Sequence, residues 1–145
     1  MVLVAKDIMD PNVLTVDENV DALSCARTMA ERHKGYAVLV REAAIAGIVT
    51  EWDFLSKIVA AARDPSKVPV REIATAVVDS CAPNTPTDVV VSTMAEKGIR
   101  RMVVRSGDRV LGVITARDVL STFRAYVDQI SAEIAANQSQ ASPLG

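Results

Sequence analysis

The sequence predicts an α+β fold built from two β-α-β-β-α units that share one buried interface, and three observations lead to it. A seven-residue phrase occurs twice, as Gly47-Ile48-Val49-Thr50-Glu51-Trp52-Asp53 and as Gly112-Val113-Ile114-Thr115-Ala116-Arg117-Asp118. The 65-residue offset between the copies (112 − 47) persists without gaps: Ile8 meets Ile73, Val13 meets Val78, Val38 meets Val103, and Thr28-Met29-Ala30-Glu31 meets Thr93-Met94-Ala95-Glu96. Such a register marks an internal duplication. Finally, half of a 145-residue chain is near the lower limit for an independent core, so the two units must bury a surface against each other.

In the first unit, residues 1–62, the apolar stretch 2–5 suggests a short strand or staple. Asp7-Ile8-Met9-Asp10-Pro11 reads as an irregular lead-in, because proline disfavours helix before it. Val13-Leu14-Thr15-Val16 is β-branched enough for a short strand, and Asp17-Glu18-Asn19 supplies a polar turn with capping groups. From Val20 the apolar positions Leu23, Ala26, Met29 and Ala30 recur at helical spacing, with Arg27, Glu31 and Arg32 opposite. Residues 36–40 and 45–49 are two strands around a tight polar turn, hence a hairpin. Beyond Thr50, the stripe Phe54, Leu55, Ile58, Val59 and Ala62 makes a second helix. Residues 63–71, with Pro65 and Pro69, form the linker.

The second unit, residues 72–136, repeats the plan. A lead-in over 72–75 precedes a short strand at Val77-Val78, a turn at Pro83-Asn84-Thr85-Pro86, a helix from Thr87 to Lys97, and a hairpin of 101–104 and 110–114 around Ser106-Gly107-Asp108. Val89-Val90-Val91 is a poor helix former, and only the repeat register assigns it to a helix. After Asp118 the last helix outruns its counterpart: Phe123, Val127, Ile130 and Ile134 continue the apolar spacing. That seam needs a further surface, on the same chain or on a second copy. Residues 137–145, rich in Ser and Gln, read as a disordered tail.

Composition excludes several function classes. Half of the residues are apolar, 3% are aromatic and the net charge is −2, which argues for a compact core of Val, Ile, Leu, Ala and Met and against a nucleic-acid partner. Cys25 and Cys81 form no C-x-x-C pair and stand away from His33, so they read as small buried hydrophobes in a reducing compartment, with no metal site expected. No apolar run has the roughly 18 residues of a membrane span, and the N-terminus lacks a signal-peptide plan, so a cytoplasmic protein with no membrane partner is expected. There is no recognisable nucleophile-histidine spacing and no Walker loop. No catalytic residue and no catalytic cofactor are assigned.

The duplicated phrase carries the chemistry. It ends an apolar strand and starts a helix, with Thr as N-cap and Asp at N3 forming a capping box. The free N–H groups and helix dipole there favour an anion, and the carboxylate can accept from adjacent hydroxyls. Two readings stand at this point: a cap alone, stabilising by about 0.5–2 kcal/mol, or a ligand site. The copies are unequally equipped. Arg100 and Arg101 precede the second hairpin and Arg117 adjoins Asp118, whereas their repeat partners are Gly35, Tyr36 and Trp52. Three guanidinium groups near one helix start favour phosphate.

Both phrases, and the element order around them, resemble the tandem cystathionine-β-synthase (CBS) domain pair, with a signature of Gly, two apolar residues, Thr or Ser, two variable residues and Asp. The resemblance spans roughly residues 2–130. It implies two units related by a pseudo-twofold axis and packed through their sheets, two clefts that bind adenosine derivatives, homodimers stacked through helices, and no chemistry of the unit's own. Carried over residue by residue, it assigns to one nucleotide cleft Thr115, Asp118, Arg100, Arg101 and Arg117, with the base contacted around Asp7, Asn12 and Lys34 together with Val113. The second cleft takes Thr50, Asp53, Ile48 and Ile99. Lacking the arginines and carrying bulky Trp52, it is expected to be empty, weak or used by an uncharged ligand. The resulting expectation is a stand-alone regulatory sensor of adenine nucleotide, AMP first and ADP or ATP after it, acting as a homodimer on an unidentified enzyme or transporter. The competing expectation is a ligand-free structural or protein-interaction module that oligomerises through its helices.

Overall fold

The computed structural model describes residues 3–140. The first half comprises α1 (Ala5–Ile8), β1 (Thr15–Asp17), α2 (Ala22–Glu31), β2 (Tyr36–Arg41), β3 (Ala44–Thr50) and α3 (Glu51–Phe54), which runs on as a π-helical turn over Leu55–Val59. Two 3-10 turns, Pro65–Lys67 and Val70–Glu72, lead into β4 (Ser80–Cys81), α4 (Thr87–Lys97), β5 (Arg101–Ser106), β6 (Arg109–Thr115) and α5 (Ala116–Gln140). Each half holds a three-stranded sheet, β1-β2-β3 or β4-β5-β6, whose first strand is parallel to the middle one and whose last two form an antiparallel hairpin. Even the irregularities repeat: the hairpin register shifts between Leu39 and Val40 and again, 65 residues on, between Val104 and Arg105.

Local chemistry sets most of the boundaries. Asp21 caps α2 by accepting from Ser24 N at 2.9 Å, which satisfies one of the otherwise unpaired first-turn donors. Helix α4 forms in spite of its valine run because Val90 is fully buried in the core beside Met94 and Met102; tertiary packing outweighs intrinsic propensity. It stops at Gly98, whose φ of 63° is left-handed, while α2 stops at the repeat-equivalent His33 with φ of 53°. At both ends the same pair of backbone bonds closes the turn, from His33 N to Ala30 O and Lys34 N to Met29 O, and from Gly98 N to Ala95 O and Ile99 N to Met94 O.

The halves exchange their lead-in segments. Ala5 and Ile8 are buried among Val90, Met94, Met102, Val104 and Ile114 of the second half, while Val68, Val70 and Ile73 are buried among Leu14, Cys25, Met29, Leu39 and Val49 of the first. The backbone bonds are exchanged in matching fashion. Thr87 N donates to Leu3 O, Ala5 N to Thr85 O and Lys6 N to Pro83 O; Ala22 N donates to Val68 O, Val70 N to Val20 O and Arg71 N to Glu18 O. Every bond in one set is the other set's bond with the roles of the halves reversed, as a self-complementary twofold interface requires. Packing therefore crosses the sequence boundary: residues 3–9 complete the second core and residues 68–74 the first.

A third core lies between the sheets, formed by Val38, Val103 and Val113 with Val13, Ile45, Ile48, Val78 and Val110 against it. Four repeat pairs (13 with 78, 38 with 103, 45 with 110, 48 with 113) meet there across the pseudo-twofold axis. Two antiparallel bridges close it, Asp10 with Val113 and Thr75 with Ile48. Glycine suits both bridges: a Cβ on Gly47 would come within 2.8 Å of Thr75 O, and one on Gly112 would press on Met9 Sδ and come within 3.0 Å of Asp10 O.

Several sequence expectations are corrected. Among the described residues no strand forms ahead of α1: of the short strand or staple expected over 2–5, Val4 makes only an isolated bridge to Pro86, and Ala5 begins a helix where an irregular lead-in is expected from Asp7 on; Val2 lies outside the described residues. The first strand of the second half is Ser80-Cys81, not Val77-Val78. Register decides this, because Ser80 and Cys81 are the repeat partners of Thr15 and Val16. Helix α5 continues to Gln140, past Asn137 where the tail was expected to begin; residues 141–145 lie outside the described residues.

Candidate functional site

Strand β6 ends at Thr115 and α5 begins with the next residue. Asp118 Oδ2 accepts from Thr115 N at 2.8 Å and from Thr115 Oγ1 at 2.9 Å, and Asp118 N donates to Thr115 Oγ1 at 3.2 Å. This reciprocal box orients the carboxylate and uses Oδ2 alone, so Oδ1 has no partner among the described residues. Ala116 N donates to Arg100 O at 2.8 Å, which ties the residue before β5 to the same turn.

A cavity of about 690 Å³ opens there. The second half lines it with Arg100, Arg101, Thr115, Ala116, Arg117, Asp118 and Leu120, and the first half with Asp10, Glu51 and residues 33–36. Four cations face three carboxylates. Lys34 Nζ pairs with Asp10 Oδ2 at 2.9 Å and Arg101 Nη2 with Glu51 Oε1 at 3.3 Å, whereas Arg100 and Arg117 make no ion pair among the described residues. The Lys34 hydrogen bond, with the Asn12 backbone N–H, holds the Asp10 carboxyl below the usual carboxylate range. Tyr36 forms a buried wall, with the Lys34 ammonium and the Arg101 guanidinium each 5.9 Å from its ring centroid. Burial first, then the charges of Asp10 and Asp118, push its hydroxyl up to about 12 against the opposing pull of Arg101. It stays protonated and can donate.

Of the residues named from sequence, Thr115, Asp118, Arg100, Arg101, Arg117 and Lys34 share this cavity. Val113 does not line it: the residue is fully buried, and its backbone pairs with Asp10 at 2.9 and 3.0 Å. Asp7 does not reach it either, since its Oδ2 is spent on Val4 N at the start of α1. Asn12 is exposed, and its backbone N–H donates to Asp10 Oδ1 at 2.8 Å; it acts on the site only through Asp10. Sequence reasoning missed Asp10, Tyr36 and Glu51. The repeat offset held a signal for Tyr36, which is the partner position of Arg101.

The pseudo-symmetric second cavity, about 280 Å³, is lined by Ile48, Thr50, Thr75, Val77, Val78, Asp79, Ile99, Arg100 and Arg101. Ile48, Thr50 and Ile99 are where the sequence reading put them; Asp53 is not. Its buried carboxylate accepts from Thr50 N at 2.9 Å and Thr50 Oγ1 at 3.3 Å through Oδ2, and from Lys57 Nζ at 3.1 Å through Oδ1. Lys57 also donates to Ile73 O at 2.9 Å. Both oxygens of Asp53 are thus occupied by the chain itself. Nor does the second cavity lack arginines: Arg100 and Arg101 line both cavities. Trp52, 69% exposed, lines neither.

Among the described residues no group of three or more His, Cys, Asp and Glu side chains is placed to hold a metal. Among the described residues no helix is long and apolar enough to cross a membrane.

Comparison with known proteins agrees with this geometry. The CBS domain family model matches twice, at residues 5–60 and 70–125. Protein MK0525 of Methanopyrus kandleri, described as uncharacterized, is 30% identical over 125 residues, which cover 85% of this chain and 64% of that protein. The chain thus spans less than two thirds of that relative. Among solved structures, the CBS domain pair of protein MJ0100 in complex with 5′-methylthioadenosine and S-adenosyl-L-methionine superimposes with a TM-score of 0.77 at 25% identity, covering 87% of this chain and 99% of that one. A hexameric CBS-CP12 protein from bloom-forming cyanobacteria has a TM-score of 0.77 at 26% identity, covering 99% of this chain and 88% of that one. The chain belongs to the CBS domain family.

Proposed function

We propose that the larger cleft of this CBS domain pair binds an adenosine derivative that carries an anionic group, AMP first and ADP or ATP after it, and that occupancy regulates a partner enzyme or transporter in the cytoplasm. One observation carries the reading: the free Oδ1 of Asp118 faces the same cavity as Lys34 and three guanidinium groups, two of which have no ion pair among the described residues. Ribose hydroxyls would donate to Asp118, while a phosphate would take Arg100 and Arg117. The ligands of the MJ0100 pair support the adenosine part. Hydrogen bonds to charged groups contribute about 1.5–3 kcal/mol each, so two of them separate AMP from adenosine by roughly a hundredfold or more. The signal sent to the partner is limited by how much better the ligand binds one packing of the halves than another.

Titration calorimetry with AMP, ATP, S-adenosylmethionine and adenosine tests the reading. AMP heat that disappears in Asp118→Ala, with the fold retained, is the expected result; no heat from any phosphorylated nucleotide refutes it.

A homodimer formed through helices belongs to the same proposal. Its support is the exposed apolar row Leu120, Phe123, Val127 and Ile134 along α5, with Trp52, Leu55 and Val59 exposed in the first half, since exposed apolar rows of this kind usually mark an interface. That seam is also what favours the second reading, a ligand-free assembly module. Truncation after Ala125 should dissolve the assembly and leave nucleotide binding in place. Loss of assembly in a chain that never binds nucleotide would favour the second reading.

A further inference from the structure

Glu51 enters the larger cleft from the first residue of α3, and its carboxylate meets Arg101 above Gly35. An added Cβ at Gly35 would press on that carboxylate and come within 2.8 Å of Arg101 Nη2, so the ends of both side chains would have to shift to keep the crossing. The pair satisfies a single guanidinium nitrogen. Arg101 Nε is buried with no partner, and so is the Tyr36 hydroxyl. Buried donors left unpaired are uncommon and costly, so the cleft holds Arg101 under-satisfied. The strand-to-helix turn does not require this carboxylate. Its repeat partner is Ala116, and the backbone bond of the turn forms in both halves, Glu51 N to Gly35 O and Ala116 N to Arg100 O.

We propose that Glu51 is the charge-selecting residue of the cleft: its carboxylate holds Arg101 as an internal substitute for the ligand's anionic group and must be displaced by it. The inference rests on the nucleotide reading above and adds a selectivity to it. A phosphate presents several acceptor oxygens to a guanidinium that Glu51 engages through one, and so it can win the exchange. Every anion entering the cleft nonetheless meets the charge of Glu51, while a neutral adenosine derivative does not. The residue therefore weakens phosphorylated ligands selectively and sets a threshold concentration for them.

The test is calorimetry of the full chain and its Glu51→Gln variant with AMP and with 5′-methylthioadenosine. AMP should bind the variant about threefold to fivefold more tightly, which is the upper part of the effect of removing one largely exposed like charge. 5′-Methylthioadenosine should change by less than about twofold, and the AMP gain should shrink as salt is raised. A purely structural ion pair predicts the opposite, because a loosened Arg101 would weaken AMP. Unchanged or weaker AMP binding overturns the proposal, and so does an equal gain for both ligands. If AMP binds the unaltered chain without a gain in the variant, this inference alone falls; if neither ligand binds either protein, the nucleotide reading falls and takes this inference with it.

Discussion

Replacing Asp53 and Asp118 in turn by alanine should separate two roles that the duplicated phrase gives to equivalent residues. Asp118→Ala removes one capping carboxylate, a loss of about 1 kcal/mol. Asp53→Ala removes an equivalent cap and also the 3.1 Å contact with Lys57, leaving that ammonium only Ile73 O. A hydrogen bond to a charged group adds about 1.5–3 kcal/mol, but Lys57 is 45% exposed and its partner 11%, so solvent screening reduces the increment and the total is roughly 2–3 kcal/mol. Thermal unfolding followed by circular dichroism should place Asp118→Ala about 2–4 °C below the parent chain and Asp53→Ala about 4–12 °C below it. Nucleotide affinity should fail in the first variant and survive in the second. Equal destabilisation, or loss of binding in Asp53→Ala with the fold retained, would refute the reasoning.

Gly112→Ala and Gly47→Ala should each lower the melting temperature by more than a surface substitution does, because the new Cβ meets backbone oxygen at 3.0 and 2.8 Å and the sheets must part; a shift within about 1 °C would contradict the exchanged bridges. His33→Gly should raise stability by about 0.5–1 kcal/mol, since φ of 53° strains a side chain that glycine lacks; denaturant midpoints measure it. Asp10, Glu18 and Asp21 all titrate below their ordinary range, held down by Lys34, Arg41 and Ser24 respectively. Their folded-state values lie below the unfolded ones, so their contribution is present above about pH 4 and is lost as pH falls through the folded values. Melting curves from pH 7 to 3 should decline mainly below about pH 4.5, and less steeply for Asp10's share in Lys34→Gln; stabilisation on acidification would contradict this.

Much of the fold was legible because duplication supplies its own check. The repeat register places the valine run 89–91 in a helix against its propensity, as the structure has it, and the same register points to Ser80-Cys81 for β4 where β-branched composition points to Val77-Val78. The exchange of lead-in segments was not legible: Ala5 and Val70 carry no mark of which half they pack on, since both halves offer similar apolar pockets. That Arg100, Arg101, Arg117, Thr115 and Asp118 gather around one cavity was legible from residue type and spacing; whether that cavity holds a ligand is the proposal above. The difference between the clefts was misread. Lys57, four residues after Asp53, stands where Thr122 follows Asp118, and that contrast, more than Trp52, decides which carboxylate is free. Glu51 was passed over as part of the repeated phrase, because its meeting with Arg101 depends on the pseudo-twofold contact and not on sequence proximity.

The most direct measurement is a crystal structure of the chain grown with an equimolar mixture of AMP, ATP and S-adenosylmethionine. The account predicts an AMP-like ligand in the larger cleft, its ribose hydroxyls on Asp118 and its phosphate among Arg100, Arg101 and Arg117, with Arg101 turned away from Glu51. Density confined to the smaller cavity, or a filled cleft with Asp118 untouched and the Arg101–Glu51 pair intact, would contradict it.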